Sequence, residues 1–242
     1  MTKPKKDTNL SELVYIIDRS GSMSGMEEAA VESFNQFVDE QQKVEGDAVL
    51  TQVLFDTEFE KPVDACPIGK VPKMEPADFR PGGCTALLDA IGLSIKTTRQ
   101  RLKAMPEAER PATVVFAIFT DGQENSSRRY TWSKIAAKIK RRTDQDGWQF
   151  LFLAANQDAI ATASKMNIAR DNAANVDFCE AGVSSQGAAF NRKASALRRH
   201  SAGLFSKSVS DDLRAPLSDI TAEEHEKKAA SGRKRNREEA KS

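Results

Sequence analysis

The chain has 242 residues, with 36 lysines and arginines against 35 aspartates and glutamates, and a formal net charge of +1. Hydrophobic residues make up 39% of it and charged residues 29%, which is typical of a globular protein and excludes a fibrous or wholly disordered one. A net charge this small gives no overall attraction to nucleic acid or to an anionic membrane. The longest apolar runs fall far short of the roughly 20 residues that cross a bilayer, so no transmembrane helix is predicted.

Cysteine and histidine usage excludes several kinds of site. Cys66, Cys84 and Cys179 are odd in number and widely spaced, which favours reduced thiols and a cytoplasmic location over a disulfide framework. His200 and His225 both lie in the last fifth of the chain, so we predict neither a histidine-based catalytic group nor a histidine metal site. The N-terminal stretch lacks a small-residue cleavage site and is predicted not to be a secretory signal.

Short apolar runs alternate with amphipathic segments along the chain. Four near-continuous runs rich in Val, Ile, Leu and Phe predict parallel strands that are covered on both faces: 13–17, 49–55, 113–119 and 149–155. Residues 59–63 alternate in polarity after a turn and predict an antiparallel edge strand. Residues 176–179 are a weaker candidate for a last strand. Helical periodicity predicts helices over 30–41, 87–102, 131–143 and 185–204.

This order of elements predicts an α/β fold. We expect a doubly wound, mostly parallel sheet with one antiparallel edge strand and helices on both faces. Residues 1–10 form a basic N-terminal tail, residues 11–204 form the α/β domain, and residues 205–242 form a charged tail. The sparse apolar content of that tail indicates a disordered segment or a loosely held helix.

Polar residues cluster where predicted strands end, which is where such a sheet binds ligands. The first strand runs into Asp18-Arg19-Ser20-Gly21-Ser22, and the fourth runs into Thr120-Asp121-Gly122. Between them, Gly83-Cys84-Thr85 precedes the second predicted helix. The topology brings these loops to one edge, where carboxylates and hydroxyls supply only oxygen ligands. Such ligands suit a hard divalent cation, Mg²⁺ in particular.

These three motifs resemble the metal-ion-dependent adhesion site (MIDAS) of von Willebrand factor type A (VWA) domains, and the resemblance covers about residues 11–204. It implies that Ser20 and Ser22 bind the metal directly and that Thr85 does so in the ligand-competent state. It implies that Asp18 and Asp121 act mainly through water. A Glu or Asp carboxylate of another protein would take the sixth position.

The resemblance also implies a function. The chain is similar to intracellular bacterial and phage-type VWA proteins, so we expect a non-enzymatic adaptor or scaffold in the cytoplasm. The implied ion is Mg²⁺, with Mn²⁺ as the alternative. The implied partner is another protein that supplies a Glu or Asp carboxylate to the metal, such as an AAA ATPase or a component of a stress or defence operon.

Each loop also has a simpler explanation when taken alone. Thr85 is then an ordinary helix N-cap, and the two aspartate loops are plain turns. Other acidic residues at loop ends could border the site: Asp56, Glu58 and Glu124. Asn156 and Asp158 fit better as caps of the following helix. Cys84 is interpreted as a small packed thiol, because no base is near it in the sequence.

Two other functions stay open. One is a Mg²⁺- or Mn²⁺-dependent phosphoryl-transfer or hydrolytic enzyme using the same carboxylates, although no phosphate-binding glycine loop accompanies them. The other is nucleic-acid binding through the basic segment 128–142, near Tyr130 and Trp132. We interpret that segment as a solvated outer face and do not expect nucleic acid as a partner.

Overall fold

The sheet of the computed structural model, which describes residues 9–155 and 158–239, has six strands. They are β1 (Ser11–Asp18), β2 (Ala48–Phe55), β3 (Phe59–Pro67), β4 (Thr113–Thr120), β5 (Gln149–Ala154) and β6 (Ala173–Asn175). Their order is β3-β2-β1-β4-β5-β6, and only the β2–β3 pair is antiparallel. The predicted fold class is therefore confirmed. The last strand lies just before the predicted 176–179, because three residues at a sheet edge are too few to give a periodic pattern.

Seven α-helices flank this sheet in the described ranges. They are α1 (Glu27–Gln42), α2 (Leu87–Ala104), α3 (Trp132–Arg141), α4 (Ala159–Lys165), α5 (Glu180–Ser201), α6 (Lys207–Arg214) and α7 (Leu217–Glu239). Asp158 caps α4 as predicted, since its Oδ1 accepts a hydrogen bond from the Ala161 amide at 2.9 Å. Asn156 lies outside the described residues. Among the described residues, every helix is too short or too polar to span a bilayer.

The central strand β1 is buried along its whole length because both sheet faces are covered. Leu13, Tyr15 and Ile17 point into one core, where aromatic side chains of α1 and α5 surround the tyrosine. Val14 and Ile16 point into the second core, under α2, α3 and α4. This alternation explains why a near-continuous apolar run formed a strand.

The C-terminal segment differs from the disordered alternative. Residues 207–214 and 217–239 are helical, and Val209, Leu217 and Ile220 are buried. Lys193 of α5 donates hydrogen bonds to the carbonyls of Asp212, Leu213 and Ala215, at 3.2, 2.9 and 2.6 Å. A few well-placed apolar contacts and this lysine hold the segment on α5, which composition alone does not show. The division of the chain at residue 204 stays a prediction.

Candidate metal centre

Three loops meet at the edge where β1 and β4 end. Asp18 is the last residue of β1, and Asp121 directly follows β4, its parallel neighbour. The Gly21 amide donates to the Gly83 carbonyl at 3.3 Å, and the Gly82 amide donates to the Arg19 carbonyl at 2.9 Å. The loop after β1 is therefore joined through its backbone to the loop that leads into α2. These bonds bring together two turns that are far apart in the sequence, at the edge where the sequence predicts them.

The hydroxyl groups converge around one point. Ser20 Oγ lies 3.1 Å from Ser22 Oγ, and Ser22 Oγ donates to Asp121 Oδ1 at 3.0 Å. A Cβ placed on Gly122 would lie 2.7 Å from Thr85 Oγ1, 3.4 Å from Ser22 Oγ and 3.6 Å from Ser20 Oγ. Three hydroxyl oxygens from two loops thus face a space that any residue but glycine at 122 would fill.

Asp18 lies behind this space and is fully buried. Its Oδ1 accepts from the Ser20 amide at 2.7 Å, and its Oδ2 accepts from Thr120 Oγ1 at 2.5 Å. Burial raises the pKa of Asp18 to about 6, and the hydrogen bonds from Thr120 and Ser20 offset only part of that rise. These two bonds fix the Asp18 carboxylate against the Ser20 backbone and the Thr120 hydroxyl.

Asp121 is the more available carboxylate. It is 2% exposed, and its Oδ2 is a buried oxygen with no hydrogen-bond partner among the described residues. Burial raises the pKa of this carboxyl, and the bond from Ser22 opposes the rise. No lysine, arginine or histidine nitrogen in the described ranges lies within 4.0 Å of Asp18 or Asp121. The described part of the protein thus supplies no cation to these two buried carboxylates.

The loop after β4 positions Thr85. The Thr85 amide donates to Asn125 Oδ1 at 2.9 Å, and the Thr85 carbonyl accepts from the Asn125 amide at 3.1 Å. Glu124 caps α2, because its Oε2 accepts from the Leu88 amide at 2.9 Å. Ala86 occupies the N-cap position without a side-chain bond, so the simple explanation of Thr85 as the cap is wrong. The Thr85 hydroxyl is therefore left to face the site.

Sequence reasoning missed these supporting roles. Glu124 was a candidate for the rim of the site, and the structure makes it a helix cap. Asp56, another rim candidate, pairs with Arg19 at 3.0 Å, and Arg19 also pairs with Glu60 at 2.6 Å. The Arg19 side chain therefore connects the loop after β1 to β3. Sequence spacing reveals neither role, because Glu124 lies 36 residues along the chain from Leu88, whose amide it accepts from, and nothing in the pattern pairs Arg19 with Asp56.

Cys84 and Glu58, which the sequence analysis also named, lie beside these loops. Cys84 is exposed, so its interpretation as a packed thiol is wrong. The reason is that its amide donates to Thr57 Oγ1 at 2.9 Å, which turns the backbone inward. The Glu58 amide donates to Asp56 Oδ1 at 2.6 Å, closing the β2–β3 turn.

The residues present fit a hard divalent cation. The set has two carboxylates and three hydroxyls, and one carboxylate oxygen is buried and unpaired. Oxygen donors of this kind suit Mg²⁺ or Mn²⁺. In the described part of the chain, no three His, Cys, Asp or Glu side chains form a metal-binding group. Any metal at this edge thus depends on the serine and threonine hydroxyls.

Solved structures with the same fold are VWA domains. Proximal thread matrix protein 1 from the mussel byssus matches with a TM-score of 0.52 and 14% identity, over 77% of this chain and 46% of that chain. The same protein with a zinc-occupied MIDAS motif matches with a TM-score of 0.51 and 15% identity, over 76% and 46%. A von Willebrand factor type A protein from Catenulispora acidiphila gives 0.49 and 15%, over 84% and 43%.

The chain therefore has the VWA fold, and the resemblance stated from its motifs is confirmed at the level of the fold. It spans less than half the length of each of these solved chains. No family model matches the chain, and no curated protein matches its sequence.

Proposed function

We propose that this protein is a metal-dependent interaction module that binds an acidic residue of a partner protein through a MIDAS-type cation. Ser20, Ser22 and Thr85 would hold the ion directly, and Asp18 and Asp121 would hold it mainly through water. The ion is Mg²⁺, with Mn²⁺ as the alternative. The bound cation would supply positive charge that attracts a carboxylate oxygen.

One observation carries this proposal. Two buried carboxylates lie beside converging hydroxyls, and among the residues that the structure describes no cation pairs with them and one of their oxygens has no partner. A buried charge without compensation costs several kcal/mol, so folds rarely keep one without a use. The zinc-occupied MIDAS motif of the mussel protein shows that a chain of this fold holds a divalent ion. That precedent supports a divalent cation here.

The same arrangement supports a role other than catalysis. The two histidines lie on other contacts: His200 packs edge-on against Phe205, and His225 Nδ1 lies 3.9 Å from Asp177. Arg19 is engaged by Asp56 and Glu60, so it is not available to polarise a substrate. We therefore propose a non-enzymatic adaptor in the cytoplasm. An AAA ATPase or a stress- or defence-operon component stays the proposed kind of partner.

The test is affinity capture with the full chain in Mg²⁺, repeated with EDTA. A partner retained in Mg²⁺ and lost in EDTA is expected, and replacing one Glu or Asp of that partner by Gln or Asn should abolish retention. Ser22→Ala should lose the partner. Ser24→Ala is the matched control, because Ser24 Oγ donates to the Gly21 carbonyl at 2.8 Å and is not directed at the site.

Two results would contradict the proposal. One is a partner held equally well in Mg²⁺ and in EDTA. The other is phosphatase or nucleotidase turnover that needs Mg²⁺ and disappears in Ser22→Ala, which would favour the enzymatic alternative.

A further inference from the structure

The outer side of α2 and α3 carries two rows of positive charge, which we call the cationic face. Its members are exposed or half-buried: Lys96, Arg99 and Lys103 on α2, and Lys134, Lys138 and Arg141 on α3. Spacings of three, four and seven residues place each set along one side of its helix. Each row covers about 10 Å. Sequence analysis found only the α3 row, because the α2 row belongs to a different part of the chain.

The two rows lie side by side. Tyr130, just before α3, packs its ring onto Gly92 of α2, where an added Cβ would lie 2.4 Å from the ring. Lys138 Nζ lies 5.3 Å from the centre of the same ring. The pKa of Lys138 is lowered by burial first and then by the positive charges of Arg142, Arg99 and Lys96. The cations of α2 and α3 therefore act on each other.

The described residues do not neutralise this face. Cations next to it have carboxylate partners: Arg101 pairs with Glu12 at 2.6 Å, Lys140 pairs with Asp144 at 2.8 Å, and Arg142 pairs with Asp146. None of the six members of the cationic face has a carboxylate oxygen within 4.0 Å in the described ranges. Six like charges held together in this way favour an external anion.

The surroundings of the charges favour nucleic acid over an acidic protein. Stable protein interfaces need buried apolar or aromatic anchors. Among the described residues, the large apolar side chains that are exposed are Leu204 and Phe205, which follow α5 and lie outside this face. Binding to a phosphate backbone is mainly electrostatic and needs no such anchor.

The aromatic residues favour a duplex over a single strand. Single strands bind by stacking their bases on exposed aromatic rings. Here Lys138 covers Tyr130, and Lys165 Nζ lies 5.5 Å from the centre of the Trp132 ring. Both aromatic residues are half-buried. The rings are thus covered by cations and are not open to stacked bases.

We propose that the cationic face binds the phosphate backbone of duplex nucleic acid without sequence preference. This activity goes beyond the proposed metal-dependent function and does not need the metal. It also reverses the expectation from the sequence that nucleic acid is not a partner.

The experiment is fluorescence anisotropy with a labelled duplex DNA of about 20 base pairs, in EDTA, between about 50 and 200 mM salt. The test variant is Lys96→Gln/Arg99→Gln/Lys134→Gln/Lys138→Gln. The control removes the same number of charges from lysines that have carboxylate partners, in Lys43→Gln/Lys61→Gln/Lys73→Gln/Lys140→Gln. Thermal unfolding checks that both variants fold. The same titration is run with duplex RNA, a single strand and polyglutamate.

Wild type should bind a duplex, with affinity falling steeply as salt rises. The test variant should bind at least about tenfold more weakly, and the slope of log K against log salt should decrease by about 3 to 4, because each phosphate contact contributes about 0.9. The control should change affinity less than about threefold. Binding of duplex RNA in place of duplex DNA supports the same proposal.

Equal losses in the test and control variants would overturn the proposal, since net charge alone would then explain binding. Tighter binding of the single strand would overturn the duplex preference. Binding of polyglutamate without binding of either duplex would assign the face to an acidic protein. None of these results affects the metal site, because all titrations are done in EDTA.

Discussion

The strand β1 has a buried carboxylate near each end, and the two carboxylates have different surroundings. Glu12 and Asp18 are both fully buried. Glu12 faces the guanidinium of Arg101 at 2.6 Å. Asp18 faces only neutral donors, the Ser20 amide and the Thr120 hydroxyl, and a second buried carboxylate, Asp121, lies at the same edge.

This difference indicates what each end is for. Burial raises the pKa of both carboxyls, so both ends bear the cost of removing charge from water. At the Glu12 end the protein supplies the opposite charge itself. At the Asp18 end it supplies hydroxyls, and no cation of the described residues pairs with Asp18 or Asp121. An end left without its own cation is suited to take one from solution.

The largest expected effect comes from removing the cation that pairs with Glu12. Arg101→Met would leave Glu12 buried without its cation and should lower the free energy of unfolding by about 3 to 5 kcal/mol. Urea denaturation in EDTA measures this loss. Lys103→Met, on an exposed position of the same helix, should stay within about 0.5 kcal/mol of wild type. A loss below about 1 kcal/mol in Arg101→Met would mean that Glu12 does not need the guanidinium.

The next effect comes from filling the space at the other end. A Cβ in Gly122→Ala would lie 2.7 Å from Thr85 Oγ1, so the loops must move apart. We expect a loss of about 1 to 3 kcal/mol in stability, together with loss of Mg²⁺ binding. Gly82→Ala is the control, because nothing lies within 4 Å of a Cβ there. Unchanged Mg²⁺ binding in Gly122→Ala would place the ion elsewhere.

A smaller effect of opposite sign is expected from removing the uncompensated charge. Asp121→Asn keeps an oxygen that can accept from Ser22 and removes a buried negative charge. In EDTA it should raise the free energy of unfolding by about 1 kcal/mol, because it removes one of two buried negative charges that repel each other. Chemical denaturation would show it. A destabilised Asp121→Asn protein would indicate that the fold already compensates this carboxylate.

The smallest effect concerns the pH dependence at the Glu12 end. The pKa of Glu12 is raised by burial, and Arg101 offsets only part of that rise. Between the ordinary carboxyl pKa and the raised one, the folded protein holds a proton that the unfolded chain has released, so stability falls as pH rises. Glu12→Gln cannot lose a proton. Its stability relative to wild type should therefore increase as pH rises from the ordinary carboxyl pKa towards the raised one.

Denaturation at several pH values in EDTA tests this sign. A relative stability that decreases as pH rises would show that the guanidinium overcompensates the burial of Glu12.

The sequence predicted the sheet and the loops of the candidate metal site for the same physical reason. Strands covered on both faces need continuous apolar runs, and such runs mark where the strand ends must lie. Asp18, Ser20 and Asp121 could therefore be placed at one edge from pattern alone. Thr85 could be placed only with the topology, since it comes before a helix.

Other features depend on contacts that sequence spacing does not reveal. Glu12 lies inside an apolar run, and its partner Arg101 is on a helix far along the chain. Glu124 caps a helix that lies earlier in the chain, and Lys193 donates hydrogen bonds to carbonyls at the end of α6. Both contacts form only when separate elements pack together. Composition favours a disordered segment over 207–239 because charged residues are numerous there. The segment is helical because Val209, Leu217 and Ile220 are buried against the rest of the protein.

The most direct test of the account is a calorimetric titration of Mg²⁺ into the metal-free full chain, followed by thermal unfolding. The account predicts saturable binding of one ion, and a gain of about 2.7 kcal/mol in stability at a hundred times the dissociation constant. Asp121→Asn and Ser22→Ala should lose both, and Ser24→Ala should keep them. No binding of Mg²⁺ or Mn²⁺, or equal binding by all these variants, would contradict it.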